Sequence, residues 1–252
     1  LPGAEQEIAT IRRSYAASVP TGRVEIQRGD EATEQNFRRS APHSQIVHLA
    51  THAFFSQRSG LASQNASQFL NDAAPIPSRS FDSTSVSSPG LRAGLVLAGA
   101  NEATVSDQDD GILTASEIAA LKMDDVDLVT LSACETGLGE VAHGEGLISV
   151  QRAFQVAGVG ATIASLWKVD DLATERLMHQ LYQHYWQEGM AATDALREAQ
   201  LWMLRNPEAS RGIGRGEIVS AKITKKPASL TGLGASPELW AGFVLSGDWR
   251  IR

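Results

Sequence analysis

Short apolar runs alternate with stretches of helical periodicity along this chain. Gln45–Thr51, Gly94–Ala98, Asp127–Ala133 and Gly160–Leu166 are apolar and often β-branched, the pattern of strands buried on both faces. Where helical crossovers join them, such strands are expected to run parallel. Thr114-Ala-Ser-Glu117 has the form of a capping box and predicts a helix running to Leu121. A second helix is expected over 146–157, stopped near Gly158. Two longer stripes follow: Leu177, Met178, Leu181, Tyr182 and Tyr185, then Ala192, Ala195, Leu196, Ala199, Trp202 and Met203, each at the three-and-four spacing of one helix face. Leu239–Leu245 reads as a last strand. Alternation of this kind predicts a three-layer α/β domain with a mostly parallel central sheet and helices on both faces. Two segments interrupt it. Residues 56–89 hold ten serines and three prolines, and residues 205–236 are rich in Gly, Lys, Arg and Ser. Both are expected to be exposed, mobile loops. No internal repeat is present.

Composition narrows the function. The chain has 252 residues, 42% hydrophobic, enough for one large domain or two small ones. A formal charge of −7 speaks against a general nucleic-acid surface, which carries a basic excess. No apolar run reaches the roughly 18 residues of a membrane span. The opening Leu1-Pro2-Gly3-Ala4-Glu5 has neither the basic start nor the apolar stretch of a signal peptide. It also lacks an initiating Met, so the chain is read as a piece of something longer. A single cysteine leaves no internal disulfide and no multi-cysteine zinc cage. The expected setting is cytoplasmic, without contact to membrane or nucleic acid. No P-loop, dinucleotide fingerprint or Gly-x-Ser-x-Gly elbow occurs. A calcium loop with Gly111 at its sixth position would put Ser106 and Gln108 where ligands belong, so that reading is rejected. No cofactor and no metal is expected.

Two reactive side chains sit where strands are expected to end. His52 closes the run from Ile46, and Cys134 closes the run from Leu128. In an open parallel sheet, sites gather at the carboxyl ends of strands, so neighbouring strands would bring the two together. Cysteine chemistry needs that meeting. A free thiol titrates near about 8.5 and attacks carbonyls as the thiolate, which an imidazole can generate or stabilise. The tetrahedral intermediate needs N–H donors worth about 3 kcal/mol each, and the amides of Ala53 and Cys134 are the candidates. Taken alone the signal is weak. A cysteine at the end of a buried strand is in most proteins an inert core residue.

The motifs say more. His48-Leu-Ala-Thr-His-Ala53, Asp110-Gly-Ile-Leu-Thr-Ala-Ser-Glu-Ile118, Leu131-Ser-Ala-Cys-Glu-Thr-Gly137, Gly144-Glu-Gly-Leu147 and Ala164-Ser-Leu-Trp-Lys-Val-Asp-Asp171 resemble, in order, the CHAT domain. The tail from Leu239 to Gly247 fits the family's ending. That family is a caspase-like cysteine peptidase domain of bacteria, related to separase and often found with tetratricopeptide repeats. The resemblance implies a caspase-like three-layer sandwich over 1–252, lacking its N-terminal portion, because the family has further strands upstream. It implies a Cys134–His52 dyad in an endopeptidase acting on protein or peptide substrates. It also implies control by a tetratricopeptide-repeat or other regulatory region. One departure stands at Ala53, where the family usually has Gly, and a methyl group is expected to crowd the site.

By the same resemblance, Asp170 or Asp171 would hold a substrate arginine, since separase uses an acidic group after a comparable Leu-Trp pair. A carboxylate pairs with guanidinium through two hydrogen bonds, favouring Arg over Lys. The plainer role for Asp170 is to cap the helix beginning near Leu172. Trp167 would wall the pocket or lie in the core, and Glu135 would orient a substrate amide or cap a helix. His143 reads as a solvated loop residue and His48 as a buried structural one. Arg79, Arg92, Arg211 and Arg215 are candidate processing sites in the two loops. The alternative function is a catalytically silent caspase-like module for interaction or signalling.

Overall fold

The computed structural model describes residues 2–55, 93–101, 109–132, 134–135, 145–167, 169–207 and 235–251. The loops expected at 56–89 and over most of 205–236 lie outside them, with the four candidate processing arginines and His143. The chain separates into a sheet unit, 23–168 with 243–251, and a helical unit, 1–22 with 169–242 and 252.

The sheet unit is built on β1 (Ile46–Leu49), β5 (Leu128–Leu131), β7 (Ala161–Ser165) and β8 (Phe243–Gly247), adjacent in that order. The first three run parallel and β8 runs antiparallel to β7. Every residue of β5 is fully buried, as an apolar run at the centre of a parallel sheet requires. A second sheet has the order β4 (Ile112–Thr114), β3 (Ala93–Val96), β2 (His52–Phe55), β6 (Cys134–Glu135). Here β3 is antiparallel to both neighbours, whereas β2 and β6 are parallel. The α/β class with a mostly parallel central sheet, caspase-like in kind, is the one the sequence predicts.

Local signals act as their chemistry dictates. The Thr114 hydroxyl accepts from the Glu117 amide, and a Glu117 carboxylate oxygen accepts from the Thr114 amide at 2.8 Å. This capping box opens a short helix, α3 (Ala115–Ala119), which the sequence reading extends two residues too far. The helix α4 (Glu145–Val156) buries Val150, Ala153 and Phe154. It ends where Gly158 takes φ +105, with Gly158 N–H donating to the Gln155 carbonyl and Val159 N–H to that of Phe154. That pairing satisfies the orphan carbonyls of the last turn. The last strand lies further on than 239–245. Pro237–Leu239 form a 3-10 turn, and the ladder with β7 begins at Phe243 opposite Ser165.

The helix α2 (Glu34–Ser40) carries a partly buried ion cluster. Arg38 bridges Glu34 at 2.6 Å and Glu117 at 3.0 Å. The Glu34 side chain is 1% exposed, and its second carboxylate oxygen has no hydrogen-bond partner. Burial raises the Glu34 carboxyl above the ordinary glutamate range, against the lowering pull of Arg38, and the charges of Glu117 and Asp110 add to the rise. A carboxyl raised in the folded state supports the fold fully below its unfolded value, about 4.3, and loses that contribution as pH climbs through the folded value. The stability difference, Glu34→Gln minus wild type, is therefore expected to grow as pH rises from about 4.3 through that window. Urea titrations at stepped pH check this, and parallel stability curves for the two proteins would refute it.

The helical unit contains α1 (Pro2–Ser18), α5 (Asp171–Tyr182) and α6 (Ala192–Arg205), with a π-helical turn, Gln183–Gln187, continuing α5. The predicted stripes are buried at Leu177, Met178, Leu181, Tyr182 and Tyr185 on one helix and at Ala192, Ala195, Leu196, Ala199 and Met203 on the other, where Trp202 is only half-buried. Packed along α5, α1 buries Glu7, Thr10 and Ser14, and Thr10 donates a hydrogen bond to Glu175 at 3.1 Å. Trp186 stacks on Tyr182 and meets Tyr15 edge-on.

Candidate active site

The strand pair β1·β5 does not end where the reactive residues stand. After β1 the chain leaves the first sheet over residues 50 and 51 and enters the second as β2 at His52; β6, which follows β5 in the chain, begins in the second sheet at Cys134. The parallel relation is kept across the break, since the Ser132 amide donates to the Leu49 carbonyl at 2.9 Å. His52 and Cys134 are consequently the first residues of adjacent parallel strands, and they are register partners. Neighbouring strands lie about 4.8 Å apart and paired positions share a face of the sheet. The His52 side chain is exposed.

Alternation along β2 relocates the methyl group of Ala53. Successive strand residues face opposite ways: His52 is exposed, and Ala53, 2% exposed, belongs to the hydrophobic core. The expected crowding does not arise, because the methyl lies on the core side and not on the face of His52. Ala53 pairs with Leu95 on one side and Glu135 on the other, so its amide lies within a strand paired along both edges.

Next to His52 stands a residue that the sequence does not single out. Thr51 occupies the break before His52, and its hydroxyl donates to the carbonyl of Val96. Val96 is the antiparallel partner of His52. A threonine closing an apolar, β-branched run looks like one more strand residue, and only the strand pairing marks it.

Other candidates fall as follows. Trp167 is half-buried in the sheet unit, where its carbonyl accepts from the Ser165 hydroxyl at 3.0 Å and fixes the turn after β7. Asp170 and Asp171 belong to the helical unit. Asp170 caps α5, with one carboxylate oxygen accepting from the amides of Leu172 and Ala173 at 2.9 and 3.3 Å. Asp171, the first helical residue, is exposed. Glu135 is the second residue of β6. His48 is half-buried, where the sequence reading has it buried; its strand β1 has a neighbour on one side only among the described residues. Among the described residues, no group of three or more His, Cys, Asp or Glu side chains could hold a metal ion, and no helix is long and apolar enough to cross a membrane.

The α/β scaffold with its mostly parallel central sheet is of the caspase-like kind. The sequence model of the CHAT domain matches residues 1–248, and the chain belongs to the CHAT domain family. It is also similar to a mouse protein named Tetratricopeptide repeat protein 28, at 28% identity over 137 residues. That match covers 54% of this chain and 4% of the mouse protein, so the chain corresponds to a small part of that relative's length.

Proposed function

We propose that the chain is a cysteine endopeptidase in which Cys134 is the nucleophile and His52 the general base. The observation that carries this reading is the parallel register pairing His52 with Cys134 at the heads of β2 and β6. His52 takes the thiol proton, and the thiolate attacks the scissile carbonyl to give a tetrahedral oxyanion. The imidazolium then gives its proton to the leaving amine as the C–N bond breaks. Water, deprotonated by His52, hydrolyses the resulting thioester and restores the thiol. Of the two candidate oxyanion donors, the Cys134 amide is preferred, because that of Ala53 lies in a strand paired on both sides. Tetratricopeptide repeats, present by name in the mouse relative, are the proposed controlling region.

Cleavage after arginine is the finer part of the proposal and rests on the resemblance. Asp171 is the preferred carboxylate, since Asp170 already accepts two helix amides. A peptidyl chloromethyl ketone with Arg at P1 is expected to alkylate Cys134 at least about tenfold faster than its norleucine counterpart, because a neutral P1 group leaves the carboxylate unpaired at a cost of about 1–3 kcal/mol. Asp171→Ala is expected to erase that preference while alkylation by iodoacetamide is unchanged. Mass spectrometry of the labelled protein reads both. Equal rates for the two ketones would remove the arginine specificity, and no labelling of Cys134 by either would favour the silent interaction module.

A further inference from the structure

We infer that Thr51 is a positioning residue for His52, holding the imidazole in its working place through the carbonyl of Val96. The inference rests on the dyad reading and adds a residue to it. Residues 50 and 51 lie between β1 and β2, so no strand ladder fixes the backbone as it passes from one sheet to the other. The residue leaving this break is His52, whose Cα–Cβ direction is set by how the chain re-enters. At that point the Thr51 hydroxyl donates to Val96, the residue lying opposite His52. The acceptor is itself well anchored. Val96 pairs with Ile112 on its other side, the next residue, Leu97, donates to the Gly111 carbonyl at 2.7 Å, and Ala98 donates to that of Ala32 at 2.9 Å. One side-chain bond thus ties the residue before His52 to the most heavily paired strand of the second sheet. A catalytic group must be held to about 0.5 Å, and a displacement of about 1 Å costs about a hundredfold in rate.

Thr51→Val keeps the shape of the side chain and removes its donor; Thr51→Ser keeps the donor. The pH dependence of Cys134 alkylation by iodoacetamide, measured on the full chain, separates positioning from folding. Under the dyad reading, wild-type alkylation is expected to have its midpoint below the free-thiol value of about 8.5. In Thr51→Val, the midpoint is expected to move towards that value and peptide cleavage to fall about ten- to a hundredfold, with the circular dichroism spectrum unchanged. Thr51→Ser is expected to overlay the wild type. Should Thr51→Val fail to fold, Thr51→Ala removes the same donor without the added methyl. His52→Ala is the reference. If it shifts the profile and the Thr51 variants lacking a hydroxyl do not, Thr51 has no positioning role. If His52→Ala leaves the profile unmoved, the dyad is wrong and the role of Thr51 falls with it.

Discussion

Cys134→Ala is expected to abolish peptide cleavage, and His52→Ala to lower kcat/KM by at least about a hundredfold to ten-thousandfold, the range over which a positioned general base contributes. The two residues act as one unit, so the double variant should be no slower than Cys134→Ala alone. Their parallel register is the reason to expect coupling and not independent effects. His52 is exposed at the head of its strand, and replacing a surface side chain changes stability by about 0.5 kcal/mol or less. A loss of activity in His52→Ala with an unmoved urea midpoint would therefore be a loss of chemistry and not of structure. The measurement is turnover of a fluorogenic peptide amide beside a urea titration of each variant. Full turnover in His52→Ala would end the dyad, and full turnover in Cys134→Ala would end the peptidase reading.

The largest stability effect is expected at Gly111, within the Asp110–Ile118 motif. Its φ is +77, a left-handed conformation costing a non-glycine residue about 1–2 kcal/mol. A Cβ there would also stand 2.1 Å from the backbone nitrogen of Ala100 and 2.5 Å from its Cα. The obstruction is backbone on the far side of the turn, so no rotamer change relieves it. The turn itself is held by the Gly111 carbonyl, which accepts from the Leu97 amide where β3 has just ended. Gly111→Ala is expected to cost about 3 kcal/mol or more. Gly29 is the control, with φ +54 and nothing within 4 Å of an added Cβ, and Gly29→Ala should cost only about 1–2 kcal/mol. Chemical denaturation of both variants reads the difference. Equal losses at the two sites would mean that the approach of Ala100 to Gly111 does not govern this turn.

Much of the scaffold was legible because local physics and tertiary context agreed. The run Leu128–Leu131 reads as a strand buried on both faces and is one. Thr114 and Glu117 sit three apart and form their reciprocal cap. The stripe from Ala192 to Met203 faces a core because its spacing allows nothing else. Asp170 caps its helix, as an aspartate just before a helical stripe should. The motifs that resembled the CHAT domain led to the family whose sequence model matches residues 1–248. In each of these cases, the deciding neighbours lie within a turn or two along the chain, or the motif itself carries the information.

Other features depended on residues far apart in sequence. The helix α1 escaped the sequence reading because the face it buries carries Glu7, Thr10 and Ser14; a polar seam gives no apolar stripe, and Thr10 makes sense only beside Glu175. The second sheet escaped it because β2 and β6 begin just past the apolar runs, and the two residues of β6 are too few to show any period. The last strand began four residues late because its ends are set by pairing with β7 and not by its own hydrophobicity. The sequence by itself therefore determined the class of fold, the local caps and the family, all of which follow from side chains, their near neighbours and short motifs. Only the tertiary structure decided that His52 and Cys134 are register partners, that Ala53 turns its methyl to the core and that Thr51 reaches Val96, because each depends on which strand lies alongside, and strand pairing is fixed by contacts dozens of residues apart.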